Sequence, residues 1–249
     1  MNFNGTNPVN AAHARPSRRM AKGFSLLEML ISVSLLVVIT GAVLEQIMVM
    51  QKSAAGTGAK VDTDQQARAF LDQMVRDLHM AGYPKAEMYS VRPDDPTLLQ
   101  KPFIAAGVVR VSPTQIILEG DVNSDGFVES VTVGYVGTPT GDPTCPCIRR
   151  NAVQKVTADP TAQPVSANYT ETSGVVPPGL GPGQAGADLF TFYDQNGNQV
   201  DVSDVPDINS NPDKLHSLAT VKINVSLLTD AGAGQTARTS LSATARLNQ

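Results

Sequence analysis

Histidine is scarce in this chain: there are three among 249 residues, and one of them, His13, lies in a basic N-terminal stretch. The other two, His79 and His216, have no nucleophile partner spaced around them as a catalytic set requires, and no glycine-rich phosphate loop is present. Enzymatic activity is therefore not expected. Cysteine is limited to Cys145 and Cys147, too few sulfurs for a structural zinc site on their own. Positive charge is thin beyond the start of the chain. The formal net charge is −4, but residues 1–23 hold four of the nineteen Lys and Arg and none of the Asp and Glu. The remainder thus carries fifteen bases against twenty-three acids, a charge of −8. A broad nucleic-acid-binding face needs clustered Lys and Arg, so nucleic acid is not an expected partner. No internal repeat is visible.

What the sequence does have is one long apolar run. From Phe24 to Leu44 there are 21 residues with a single formal charge, Glu28, and thirteen of them are Leu, Ile, Val or Phe. At ~1.5 Å per residue a helix of this length reaches ~31 Å, about the thickness of a hydrocarbon core. The thirteen apolar side chains favour insertion by ~6 kcal/mol in sum, against ~3 kcal/mol for a charge at mid-membrane. The run is expected to span a membrane despite its carboxylate. Arg15, Arg18, Arg19 and Lys22 precede it with no acid among them, so the N-terminal side stays cytoplasmic and everything after the span lies outside. An export signal has a shorter apolar core closed by a small-residue cleavage site, and neither feature is found here. A glycine stands instead directly before the run, and a cut between Gly23 and Phe24 would remove the basic leader and keep the helix.

Gly23-Phe24-Ser25-Leu26-Leu27-Glu28 resembles the processing site of the type IV prepilin class. The resemblance implies a membrane peptidase that cuts after Gly23 and methylates the new amine of Phe24, with Glu28 as the fifth mature residue. It also implies that Glu28 pairs with the N-terminal ammonium of a neighbouring subunit as helices bundle. Physically, a carboxylate in a low-dielectric setting is costly alone and relieved by a cation. Alternatively, Glu28 reaches the headgroups and has no further role.

Beyond Met50 the pair Gly56 and Gly58 predicts a bend or local melting, each glycine costing roughly 1 kcal/mol relative to Ala in a helix. From Asp62 to Ala81 apolar residues recur at three- and four-residue steps: Ala67, Phe70, Leu71, Met74, Val75, Leu78 and Ala81. Thr63 with Gln66 could open this helix as a capping box, and Gly82 with Pro84 stops it. Asp64, Arg68, Asp72, Arg76 and Asp77 form its expected solvent face. After Pro84 the pattern turns to strands, expected at 103–111, 114–119, 128–135, 148–156, 189–193, 218–228 and 240–247. The sixth alternates most clearly, Val221, Ile223, Val225 and Leu227 against Lys222, Asn224 and Ser226. Asn196-Gly197 signals one hairpin and Gly232-Ala233-Gly234 another. Residues 157–187, centred on Pro177-Pro178-Gly179, read as loop. The expected fold class is α+β: a long N-terminal helix, part membrane span and part amphipathic, packed on an antiparallel β-sheet head in a pilin-like layout. The expected divisions are a leader at 1–23, a membrane and assembly helix at 24–50, an amphipathic helix at 51–82 and a β-rich head at 83–249.

Two local features of the head invite chemistry. Cys145 and Cys147 flank Pro146, in a compartment that permits disulfides. A bridge between them closes a very small, tight ring; free or intermolecular thiols and metal binding are the alternatives. Asp121, Asn123 and Asp125 alternate ahead of Gly126, followed by the carbonyl of Phe127 and by Glu129, the opening of an EF-hand-type Ca²⁺ loop. Thr132 stands at the twelfth position where such loops carry a bidentate Glu, and no helices flank the segment. A polar hairpin turn explains the same residues.

The run Phe70-Leu71-Asp72-Gln73-Met74-Val75-Arg76-Asp77-Leu78-His79-Met80-Ala81-Gly82-Tyr83-Pro84 is similar to the helix end of PilW-type minor pilins, as is a closing strand near Ala245-Arg246-Leu247-Asn248. The resemblance implies a minor pilin-like structural subunit of a type IV pilus. Its partners would be other pilins through the N-terminal helix, the prepilin peptidase and the inner membrane, with the head periplasmic and then at the cell surface. A J-type pseudopilin of type II secretion shares this layout. A Ca²⁺-dependent adhesive head on the same anchor is the other reading.

Overall fold

The computed structural model describes residues 23–89, 101–138, 142–157, 159–164, 169–178, 188–232 and 235–247. Leader residues 1–22, parts of the loop at 157–187, Ala233-Gly234 of the last turn and Asn248 lie outside the described residues. Two compact units are present, one ending at Val49 and the other starting at Met50.

The first unit is helical. Helix α1 (Leu26–Met80) begins three residues after Gly23, and every described residue up to Ala55 is exposed. From Phe24 to Leu44 this exposed surface carries a single formal charge, Glu28. The helix is long and apolar enough to cross a membrane.

In the second unit α1 continues through Gly56 and Gly58 without the expected break. The helix bears a cost of roughly 1 kcal/mol for each glycine, and around them Thr57 Oγ1 donates to Ser53 O (3.0 Å) and Thr63 Oγ1 to Ala59 O (2.8 Å). Thr63 is therefore a mid-helix residue bonded four back, not a cap. The apolar stripe lies where the periodicity puts it, with Ala67, Phe70, Leu71, Met74 and Leu78 buried and Val75 half-buried. Each large side chain of the stripe contributes roughly 1.5–3 kcal/mol on burial. Asp77 departs from the expected solvent face: it is 1% exposed.

The helix packs with two antiparallel sheets rather than one. The first runs β1 (Gly107–Val111), β2 (Gln115–Gly120), β3 (Glu129–Val136), β4 (Cys147–Gln154), β5 (Tyr169–Ser173), each paired with the next. The second has the order β7-β6-β8-β9, from β6 (Phe190–Asp194), β7 (Gln199–Val200), β8 (Leu218–Gly232) and β9 (Gln235–Arg246). A short helix α2 (Pro212–His216) precedes β8. Inward residues of both sheets, among them Ile116, Leu118, Val131, Val133, Phe190, Phe192, Val221 and Ile223, close one core with the helical stripe.

Two differences from the sequence expectation have physical causes. β1 starts at Gly107 and not at 103, because Ile104 N–H turns back to Lys101 O and Ala106 N–H is drawn to the Glu119 carboxylate. β5 falls inside the stretch read as loop. Tyr169 and Thr170 alternate with no apolar partner, and their order comes from the β4 ladder, Arg149↔Thr170 and Arg150↔Tyr169.

Candidate functional site

Gly23, Phe24 and Ser25 precede α1 as exposed chain, Ser25 O accepting from Met29 N–H (3.1 Å), and a side chain added at Gly23 would meet nothing within 4 Å. The first helical turn holds Glu28, where a carboxylate is favoured by the unpaired amides of a helix N-terminus. Glu28 forms no ion pair among the described residues. Ser32 and Ser34 fold their hydroxyls back on Glu28 O and Leu30 O, each at 2.8 Å, which hides their polarity from an apolar surrounding. The segment therefore presents an accessible glycyl bond, then one carboxylate on an otherwise apolar surface.

The loop at 121–129 joins β2 to β3 as a hairpin. Asp121, 5% exposed, takes the amides of Asp125 (3.1 Å) and Gly126 (3.0 Å) on its two carboxylate oxygens. Asn123 Oδ1 also accepts from Asp125 N–H (3.0 Å), and Asp125 Oδ1 accepts from Phe127 N–H (2.9 Å). Ser124 and Gly126 sit at φ of 61° and 89°, the left-handed region that lets consecutive amides point inward. Glu129 Oε2 accepts from Val122 N–H (3.1 Å). Burial, then the charges of Asp125 and Asp121, push the Glu129 carboxyl above its ordinary range, while the Val122 amide pulls the other way. The structure brings Asp121, Asn123 and Asp125 together. Phe127 faces solvent, and Thr132 is a ladder residue of β3 paired with Ile117 and Asn151, remote in role from the loop. No group of three or more His, Cys, Asp or Glu is gathered to hold a metal among the described residues. A cleft of about 720 Å³ runs beside the loop, lined by His79, Tyr83, Lys85, Asp121 and Asp125.

Cys145 and Cys147 are joined in a disulfide with Cα atoms 4.3 Å apart, and both are buried. Pro146 O between them accepts from Val175 N–H (3.0 Å), and Val175 bridges to Leu227 of β8. The ring thus sits where the two sheets are stitched together.

Two ion pairs with a fully buried carboxylate carry no signal in the sequence. Asp77 Oδ2 accepts from Arg150 Nε (2.8 Å), and its Oδ1 from Gln73 Nε2 (2.7 Å). Glu119 Oε2 accepts from Lys155 Nζ (2.7 Å) and from Ala106 N–H (3.0 Å), with both side chains at or below 1% exposure. Desolvation raises the Glu119 carboxyl above its ordinary value, opposed by Lys155, and Glu119 Oε1 is buried without a partner. Nothing in the spacing of residues 77 and 150, or 119 and 155, signals these contacts, since each joins elements that meet only in the folded sheet.

Comparison with known proteins bears on the N-terminal segment alone. No curated protein and no solved structure matches the chain. Residues 18–44 match the family model of the prokaryotic N-terminal methylation motif, which takes in Gly23, Phe24 and Glu28. This chain therefore carries at its N-terminus the segment of type IV prepilin-like proteins, followed by a helix fit for membrane anchoring and an α+β head.

Proposed function

We propose that the protein is a minor pilin-like structural subunit, of the PilW kind, for assembly of a type IV pilus. The observation that carries this reading is the coincidence of the methylation motif at 18–44 with a helix whose apolar surface is bare from Phe24 to Met50. Cleavage between Gly23 and Phe24 removes the basic leader and frees an amine. The helix then exchanges lipid contacts for those of neighbouring pilin helices, and Glu28 meets the amine of an adjacent subunit. The work is packing, not catalysis. Gly23→Ala tests it: the variant should migrate on a gel at the precursor size and stay out of filaments. Migration at the mature wild-type size would refute the processing step.

The head adds a second property, a Ca²⁺ site at Asp121, Asn123, Asp125, Phe127 and Glu129. It is favoured by the geometry of the turn, which brings the side chains of Asp121, Asn123 and Asp125 together with Glu129 at its end. A divalent cation would draw Glu129 from the Val122 amide to itself. Millimolar Ca²⁺ should raise the melting temperature of the full chain in detergent, and Asp125→Ala should abolish the rise. An unchanged melting temperature for wild type would rule the site out.

A further inference from the structure

The second sheet has two outward rows that hold cations and no acid. Its register sets Gln199, Tyr193, Thr220 and Arg246 in one row across β7, β6, β8 and β9, with Lys222 and Thr244 in the next. Their neighbours along each strand, Phe192, Val221, Ile223 and Ala245, are buried in the core, so these rows face away from it. With strands ~4.8 Å apart, the first row spans about 14 Å, and Lys222 lies diagonal to Arg246 at roughly 7–8 Å. Among the described residues neither Lys222 nor Arg246 is in an ion pair, and neither row holds Asp or Glu; Asp230 and Arg238 stand in the same register further along β8 and β9. On a chain at −8 beyond its leader, an ammonium and a guanidinium without counter-charge complement an anionic partner.

The rest of the face decides which anion. The two cations of these rows are too few for nucleic acid, whose affinity at physiological salt rests on many phosphate contacts. Hydroxyls and an amide at fixed spacing beside a tyrosine ring suit a polyhydroxylated partner, read by hydrogen bonds and by stacking against the ring. We propose that this face binds an acidic polysaccharide, with Lys222 and Arg246 on its carboxylates and Tyr193 against a sugar ring. The proposal is independent of how the N-terminal helix assembles.

Affinity electrophoresis of the full chain in detergent tests it, with polygalacturonate in the gel and dextran as the neutral control. Polygalacturonate should retard the wild type at physiological salt, and dextran should not. Lys222→Glu with Arg246→Glu should weaken binding at least ~tenfold. Lys222→Gln with Arg246→Gln should also weaken it while leaving the melting temperature of wild type, which separates lost contacts from lost fold. Tyr193→Ala should weaken binding and leave its salt dependence intact. The proposal is overturned if polygalacturonate does not retard the wild type, or if the charge variants bind as wild type does. Tighter retention by double-stranded DNA, or sedimentation showing that the face instead joins two copies of the chain, would overturn it equally.

Discussion

Replacing Lys155 by Met should be among the most damaging single changes in the head. Lys155 and Glu119 are at or below 1% exposure, and Lys155 also donates to Ile104 O (3.1 Å). Removing the ammonium leaves a carboxylate in the interior with Ala106 N–H as its remaining donor and Oε1 unsatisfied. Breaking one side of a buried pair costs ~3–5 kcal/mol. At ~2–4 °C per kcal/mol for a domain of this size, the melting temperature should fall by roughly 6–20 °C. The loss should depend on pH in a definite sense. Burial raises the Glu119 carboxyl above its unfolded value of 4.5, so the folded state holds the proton more tightly than the unfolded chain. Stability linked to Glu119 is therefore present below the unfolded value and lost as pH rises through the folded one. Without Lys155 the folded value moves higher still, and the deficit should be larger at pH 8 than at pH 5. Thermal melts of the full chain in detergent, followed by circular dichroism at both pH values, measure this. Adding Glu119→Leu to Lys155→Met should restore much of the loss. A Lys155→Met melt within a degree of wild type at pH 8 would refute the reasoning.

Two further outcomes follow from the packing of the head. A Cβ at Gly120 would stand 2.3 Å from Met80 O, a backbone atom that cannot step aside, so Gly120→Ala should cost about 1–3 kcal/mol and lower the melting temperature by roughly 2–12 °C. The three-residue ring of Cys145 and Cys147 restrains little of the unfolded chain, so replacing both by Ala should cost only about 1–2 kcal/mol by the same melt.

The residues that could be read from sequence are those whose pattern is local. The stripe from Ala67 to Leu78 and the alternation of Val221, Ile223, Val225 and Leu227 each reflect one element's own period, and both reach the core as expected. The methylation motif at 18–44, with its apolar run, is linear in sequence and legible for the same reason. What was hidden depends on partners distant in sequence. Asp77 looked like one more charge on a solvated face until Arg150 of β4 met it. Tyr169–Ser173 has no apolar alternation of its own and becomes a strand only because β4 offers it a ladder. The division of the strands into two sheets is likewise a matter of long-range pairing, to which local periodicity is blind.

The end of α1 is clasped to β2 by peptide groups: Gly82 N–H to Glu119 O and Asp121 N–H to Tyr83 O, both 2.9 Å, with Gly120 pressed on Met80 O between them. Tension applied to residues 50–80 along their axis would have to shear this clasp and the Asp77–Arg150 link together. Mechanical load would then pass into β2 and β4, each flanked by strands on both sides, where neighbouring ladders share it, instead of unravelling the connection that follows the helix.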